Sequence, residues 1–177
     1  MNHNLSIRTE SPADYKIVKN LVQAAFASIE YSDQQEHQLV ARLRQSDAFI
    51  PDLALVAEDA GQILGYILLT RIEIREEEQT HPALALAPVA VLPAAQGQGI
   101  GGQLIEAAHE RARSLGHQCI VLLGHADYYP RFGYEPCEQY GIKFPFDVPP
   151  ENCMVLGLQP GSLDLIKGEV VYPPEFG

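Results

Sequence analysis

The sequence predicts one domain of the mixed α/β class, and three observations support this. Apolar runs typical of β-strands occur between stretches whose apolar residues have helical spacing. A loop with four glycines in six residues, 97–102, joins one such run to a helical pattern. The 177 residues, 46% of them apolar, are enough for one buried core, and no linker or repeat divides them. We therefore expect a single domain over residues 1–177.

The first quarter of the chain predicts one strand followed by two helices. Alternating apolar residues predict the strand over residues 5–9. Ser11 and Pro12 are typical of a helix N-terminus, and apolar residues at helical spacing follow them as far as Ala25. A second apolar stripe predicts a helix over residues 33–45.

Three strands are predicted next. Residues 53–58 and 63–74 have strand patterns, and residues 59–62 between them are typical of a hairpin turn. The Glu-rich stretch 75–82 predicts a solvated turn, after which residues 83–92 predict another strand.

The second half begins with a helix and a buried strand. Apolar residues at helical spacing predict a helix from Ile100 to about Gly116. The continuous apolar run 119–123 is typical of a strand that is buried on both faces. The remaining predicted elements are a short helix over residues 127–132 and strands near residues 142–144 and 154–158.

Composition limits the classes of function. A net charge of −11 argues against nucleic acid as a partner, because phosphate backbones require clustered Lys and Arg. Acidic surface keeps a protein soluble, and it also attracts a cationic acceptor at long range. No apolar run approaches the roughly 18 residues of a membrane span. Three cysteines without C-x-x-C spacing fit a reducing, cytoplasmic compartment, and the scattered histidines predict no metal site.

The glycine-rich loop predicts a phosphate-binding site. A helix N-terminus presents free N–H groups and the positive end of the helix dipole, and glycine lets a ligand approach the backbone. No Lys-Ser/Thr follows, so a P-loop is excluded. The loop contains G-x-G-x-x-G, but residue 120, about 20 positions on, is apolar, which makes a nucleotide-binding protein the weaker interpretation. The predicted binding residues are Gln96, Gly97, Gln98, Gly99, Ile100, Gly101 and Gly102.

Two motifs together resemble a known family. The first, Q-x-x-G-x-G, consists of Gln96, Gly99 and Gly101, and the second, Y-x-x-x-G-[FY], consists of Tyr129, Gly133 and Tyr134. In this order they resemble the acetyl-CoA loop and the segment after the fifth strand of GNAT N-acetyltransferases, and the region from about residue 5 to residue 158 resembles a bacterial branch of that superfamily. The resemblance implies a GNAT fold, with a mixed, mostly antiparallel sheet of about six or seven strands and about four helices.

The resemblance also implies the cosubstrate and part of its site. Acetyl-CoA would be the acetyl donor, without a metal, and the acceptor would be a primary amine of a small molecule or protein. A bulge in the fourth strand would leave a slot for the pantetheine arm, where Val89, Ala90 and Val91 offer backbone groups. Pro88 agrees with this, since proline in strands occurs at edges and bulges. Tyr129 matches the tyrosine that protonates the departing thiolate.

The remaining catalytic roles are less specific. Glu36 and Glu73 are the candidates for the general base, because their elements border the acceptor cleft in GNAT folds, although carboxylates on helices are more often solvated. The loop lacks the basic residues common in this family, so the CoA phosphates would pair with Arg111, Arg113 or Arg131. Tyr128 is expected to serve packing, and His125 a structural role.

Two mechanistic expectations follow. No cysteine stands beside the loop or Tyr129 in the sequence, which predicts direct attack by the amine rather than an acyl-enzyme. The alternative function is a non-catalytic acyl-CoA-binding regulatory module, in which Tyr129 would be a core residue. The acceptor and the oligomeric state stay open, and GNAT proteins are often homodimers.

Overall fold

The chain forms one sheet with helices on both faces, in a computed structural model that describes residues 4–177. The α-helices are α1 (Tyr15–Phe26), α2 (Glu36–Arg44) and α3 (Ile100–Ser114). The strands in this range are β1 (Ser6–Thr9), β2 (Phe49–Asp59), β3 (Gln62–Glu76), β4 (Gln79–Val91), β5 (Cys119–Leu123), β6 (Glu135–Pro136), β7 (Ile142–Lys143), β8 (Cys153–Gly157) and β9 (Gly168–Val171).

The strand order confirms the expected mixed, mostly antiparallel sheet. The sheet runs β1-β2-β3-β4-β5-β8-β6, and β9 pairs with both β3 and β7. The pairs β4–β5 and β7–β9 are parallel and the others antiparallel. A parallel pair requires a crossover, and α3 provides it between β4 and β5.

The element counts differ from the expected six or seven strands and four helices. Residues 4–177 contain nine strands, because neither β6, which has only two residues, nor β9 was predicted from the sequence. The helix expected over residues 127–132 is wrong, since the structure has a single 3-10 turn there, Tyr129–Phe132. Pro130 lacks an N–H to donate, and Gly133 ends the turn at φ 97°.

The solvated turn expected over residues 75–82 is also wrong. β3 and β4 continue through most of it, and Glu76 pairs with Gln79. Only Glu77 and Glu78 form the turn, with Glu77 at φ 40°. Charged side chains on the solvent-exposed end of a hairpin leave the backbone free to pair, so their number indicated exposure and not irregular structure.

The core covers both faces of the sheet and consists of three clusters of buried apolar residues, one of them around β5 and β8. Successive residues of a strand point to opposite faces. Leu53 and Leu55 of β2 are buried in the layer that α3 covers, whereas Val56 lies in the layer that α1 and α2 cover. A Cβ at Gly65 of β3 would stand only 2.8 Å from Leu104 Cδ1, so α3 packs close to the sheet beside the end of β4.

A buried histidine makes stability depend on pH. His109 of α3 contacts the Tyr134 hydroxyl through Nε2 at 2.9 Å. Burial, assisted by the positive charge of Arg113, lowers the pKa of His109 to about 4. The unfolded chain, with a pKa near 6.5, therefore binds more protons between pH 6.5 and 4. The contribution of neutral His109 to the free energy of unfolding is complete above pH 6.5 and is lost as the pH falls from 6.5 to 4.

We expect the free energy of unfolding to fall by about 1–3 kcal/mol more in the wild type than in His109→Gln between pH 7 and 4.5. Urea unfolding at several pH values measures this difference. Burial also lowers the pKa of His117, but this residue changes the free energy of unfolding by the same amount in both proteins. The pKa of Asp14, lowered to about 2 by its hydrogen bond with Arg8, affects stability only below pH 4. Parallel pH profiles for the two proteins would contradict the prediction.

Candidate active site

The cleft of the candidate site lies where β4 and β5 separate. Their parallel pairing involves only Leu84 and Ala85 of β4, next to Ile120 and Val121. Beyond Ala85 the register between β4 and β3 shifts by one residue, so β4 bulges near Pro88. The bulge expected in the fourth strand is confirmed. A cleft of about 650 Å³ opens here, lined on the β4 side by Leu86, Ala87, Pro88, Val89, Ala90 and Val91.

A second cavity of about 380 Å³ lies at the N-terminus of α3. Its lining residues in the described chain are Val91, Gln96, Gly97, Gly99, Ile100, Gly101, Gly102, Tyr128, Arg131 and Phe132. Val91 and Gln96 line both cavities, so the two spaces adjoin. The structure therefore brings together all the residues expected to bind the cofactor except Gln98, which lines neither cavity.

The glycines of the loop serve two different purposes. Gly97 and Gly99 have φ of 78° and 81°, a left-handed conformation that other residues rarely adopt. Gly101 and Gly102 lie in the first turn of α3 and have ordinary helical angles. The first turn of a helix leaves its N–H groups without intrahelical partners, and the absence of side chains here keeps the cavity open.

The side chain of Gln96 links the loop to β4. Its Nε2 donates to the carbonyl of Val91, the last residue of β4, at 3.1 Å. This hydrogen bond therefore joins two residues that line both cavities.

Of the three candidate arginines, Arg131 lines the cavity at the N-terminus of α3. Its guanidinium lies over the Tyr128 ring, 4.6 Å from the centroid, and its Nε donates to the Tyr128 carbonyl at 2.9 Å. The other two candidates are engaged elsewhere: Arg111 donates to Thr9 Oγ1 at 2.7 Å, and Arg113 donates to the Leu158 carbonyl at 2.8 Å. Tyr128, expected only to pack, lines the cavity as well.

We expect Arg131→Gln to raise the Kd for CoA by about 10-fold, because a charge-assisted contact with phosphate is lost. The loss should shrink as salt is added, since salt screens an exposed charge. Titration calorimetry at two salt concentrations measures both effects. Arg42→Gln, the same change at an exposed position of α2, is the control. Equal Kd values for Arg131→Gln and the wild type would exclude this role.

Tyr129 lines the cleft between β4 and β5. It is 9% exposed, and burial raises its pKa to about 12, so the hydroxyl stays protonated throughout the neutral range. Within residues 4–177 this hydroxyl makes no side-chain hydrogen bond. A Cβ at Gly124 would overlap the Tyr129 ring. The ring can therefore occupy this position only because residue 124 is glycine.

The two expected carboxylates lie in different places. Glu36, at the start of α2, lines the cleft, and its Oε1 accepts a hydrogen bond from Ser32. Glu73 does not line either cavity: it lies on β3 opposite Val171 of β9, and its Oε2 pairs with Arg75 Nη2 at 2.7 Å. The structure thus brings Glu36 and Tyr129 to one cleft and leaves Glu73 outside it.

A contact between distant segments crosses the cleft. The Tyr31 hydroxyl and His125 Nε2 are 3.0 Å apart, and their rings meet edge to face. Both residues line the cleft. Tyr31 follows α1 in a stretch without a motif, so the sequence contained no signal for it.

The described residues also bear on other kinds of site. Residues 4–177 contain no group of three or more His, Cys, Asp or Glu placed to hold a metal ion. In the same range, no helix is both long and apolar enough to cross a membrane.

Comparisons with known proteins agree with this geometry. A family model for the acetyltransferase (GNAT) domain matches residues 51–136. The chain is 35% identical over 151 residues to the uncharacterized N-acetyltransferase YjhQ of Escherichia coli (strain K12), covering 85% of this chain and 81% of YjhQ.

Two solved structures match nearly the whole chain. A GNAT family acetyltransferase from Brucella melitensis, in complex with acetyl-CoA, is 34% identical with a TM-score of 0.80 and covers 99% of this chain and 100% of its own. The N-acetyltransferase YhbS from Escherichia coli, in complex with CoA, is 26% identical with a TM-score of 0.88 and covers 99% and 93%. With its bulged fourth strand, its glycine-lined cavity and these relatives, the chain belongs to the GNAT family of acetyltransferases.

Proposed function

We propose that this protein transfers the acetyl group of acetyl-CoA to a primary amine by direct attack. The observation that carries the proposal is the junction of the two cavities at Val91 and Gln96. The cavity at α3 suits a pyrophosphate, and the cleft beside β4 suits the pantetheine arm and the thioester. The relatives from Brucella melitensis and Escherichia coli bind acetyl-CoA and CoA, which supports this assignment.

The cleft supplies groups for each step of the transfer. The amine nitrogen forms a bond to the thioester carbon while a backbone N–H of residues 89–91 stabilises the negative charge on the carbonyl oxygen. Glu36 takes the proton that the amine loses, directly or through water. As the C–S bond breaks, Tyr129 donates its proton to the sulfur, and solvent restores it. Its high pKa keeps the hydroxyl protonated until that moment.

The cysteines support a mechanism without an acyl-enzyme. Cys119, Cys137 and Cys153 are buried in the hydrophobic layer around β5 and β8, and none of them lines either cavity. Burial raises the pKa of Cys119 to about 12, so it stays an unreactive thiol. Reduced cysteines and the use of acetyl-CoA are consistent with the cytoplasmic location that we propose.

Release of CoA from acetyl-CoA tests the function. We expect slow release from the protein alone and faster release when a suitable primary amine is added. Intact-mass spectrometry after incubation with acetyl-CoA alone should show an unmodified chain. A stable acetyl adduct on a cysteine would overturn direct attack. Tight acetyl-CoA binding without release under any amine would indicate the non-catalytic binding module instead.

A further inference from the structure

Apolar side chains outside β4 line part of the cleft. They come from the end of α1 and the residues that follow it, from α2 and from the segment before β8. We call these residues the acceptor wall: Ala25, Phe26, Ile29, Leu39, Val148 and Pro149. Such a wall favours an apolar body, since burying apolar surface is the main source of affinity in pockets of this kind.

One negative charge lines the same cleft. Among the described residues that line the cleft, Glu36 is the one carboxylate, and no Lys or Arg is present. Its Oε1 accepts the hydrogen bond from Ser32, whereas its Oε2 is buried and has no hydrogen-bond partner within residues 4–177. A buried carboxylate oxygen without a donor is unfavourable, so this atom is a ready acceptor for an N–H group.

We propose that the acceptor is a small primary amine with a single positive charge on a compact apolar body. Its ammonium donates to Glu36 Oε2 while its body packs on the acceptor wall. The inference rests on the proposed function only in assigning this part of the cleft to the acceptor. Glu36 then recognises the cation and takes its first proton before attack. That proton passes to solvent, so that the carboxylate can take the second proton as the C–N bond forms.

The same features disfavour other amines. A polyamine would bring a second ammonium into a cleft whose described lining offers no second carboxylate, and its desolvation would not be compensated. An amino acid would bring a carboxylate close to Glu36 without a Lys or Arg to pair with it. The cleft of about 650 Å³ also includes the β4 edge that we assign to the pantetheine arm, so the acceptor shares this volume with the cosubstrate, which favours a compact body.

Binding to the CoA-saturated protein tests the inference without requiring turnover. We would measure the Kd by calorimetry for 2-phenylethylamine, for 2-phenylethanol as its uncharged analogue, for spermidine and for phenylalanine. We expect 2-phenylethylamine to bind at least about 10-fold more tightly than the other three. Glu36→Gln should weaken its binding by about 10-fold or more and leave the Kd of 2-phenylethanol unchanged. Glu30→Gln, at an exposed residue outside the cleft, is the matched control.

Two results would overturn the inference. One is tighter binding of spermidine or phenylalanine than of 2-phenylethylamine, and the other is an unchanged Kd for 2-phenylethylamine in a Glu36→Gln protein with wild-type Tm. Neither depends on catalysis. A protein that binds 2-phenylethylamine through Glu36 but never releases CoA from acetyl-CoA would contradict the proposed function and support the inference. Release of CoA from acetyl-CoA that depends on a different class of amine would support the proposed function and contradict the inference.

Discussion

Tyr129→Phe is expected to lower kcat by about 10²-fold, the usual effect of removing a general acid. The KM for acetyl-CoA should change little, because the ring and its packing against Tyr128 and Tyr134 remain. The Tm should also be unchanged, since the hydroxyl makes no side-chain hydrogen bond within residues 4–177 that the substitution would break. Steady-state kinetics and thermal unfolding on one preparation measure all three quantities.

Tyr140→Phe is the matched control for this substitution. It removes a hydroxyl that donates to Glu135, far from both cavities, so kcat should stay at the wild-type value. A purely structural Tyr129 would give the opposite pattern. The Phe variant would then unfold at a lower temperature and turn over at the wild-type rate, which would exclude the acid role. Until an acceptor is identified, hydrolysis of acetyl-CoA is the weaker readout.

Gly101→Val is expected to weaken CoA binding by about 10²-fold or more while the protein stays folded. A Cβ at this position would lie 3.7 Å from Tyr128 Oη and from Val91 Cγ2, which are ordinary contact distances. The branched side chain would occupy the cavity at the N-terminus of α3, where the N–H groups must reach the phosphates. Calorimetric titration with CoA measures the effect, and Tm confirms that the variant is folded.

The backbone angles explain the choice of Gly101 over Gly99. Gly99 has a φ of 81°, which residues other than glycine rarely adopt, whereas Gly101 is helical. Gly101→Val therefore tests the cavity without backbone strain. Ser114→Val, at the exposed end of the same helix, controls for the lower helix propensity of valine. An unchanged Kd for Gly101→Val would show that the phosphates bind elsewhere.

Local patterns predicted most of the fold because their causes are local. Alternation identified β1, and helical spacing identified α1, α2 and α3, since each pattern reflects one element facing one core. The prediction failed where length or context decided the outcome. The pairing of Glu76 with Gln79 depends on the hairpin as a whole, and the two-residue strand β6 exists only because β8 lies beside it.

The sequence by itself predicted the loop 96–102 from the chemistry of one short segment, and the resemblance to the GNAT family implied the bulge near Pro88 and the motif tyrosine Tyr129. Only the tertiary structure decided which carboxylate and which arginine reach the site. Glu36, Arg131 and the contact between Tyr31 and His125 depend on where β4 and β5 separate and on which elements then face the gap. Spacing along the chain contains no information about that separation, since it is set by register and packing between strands that are distant in sequence.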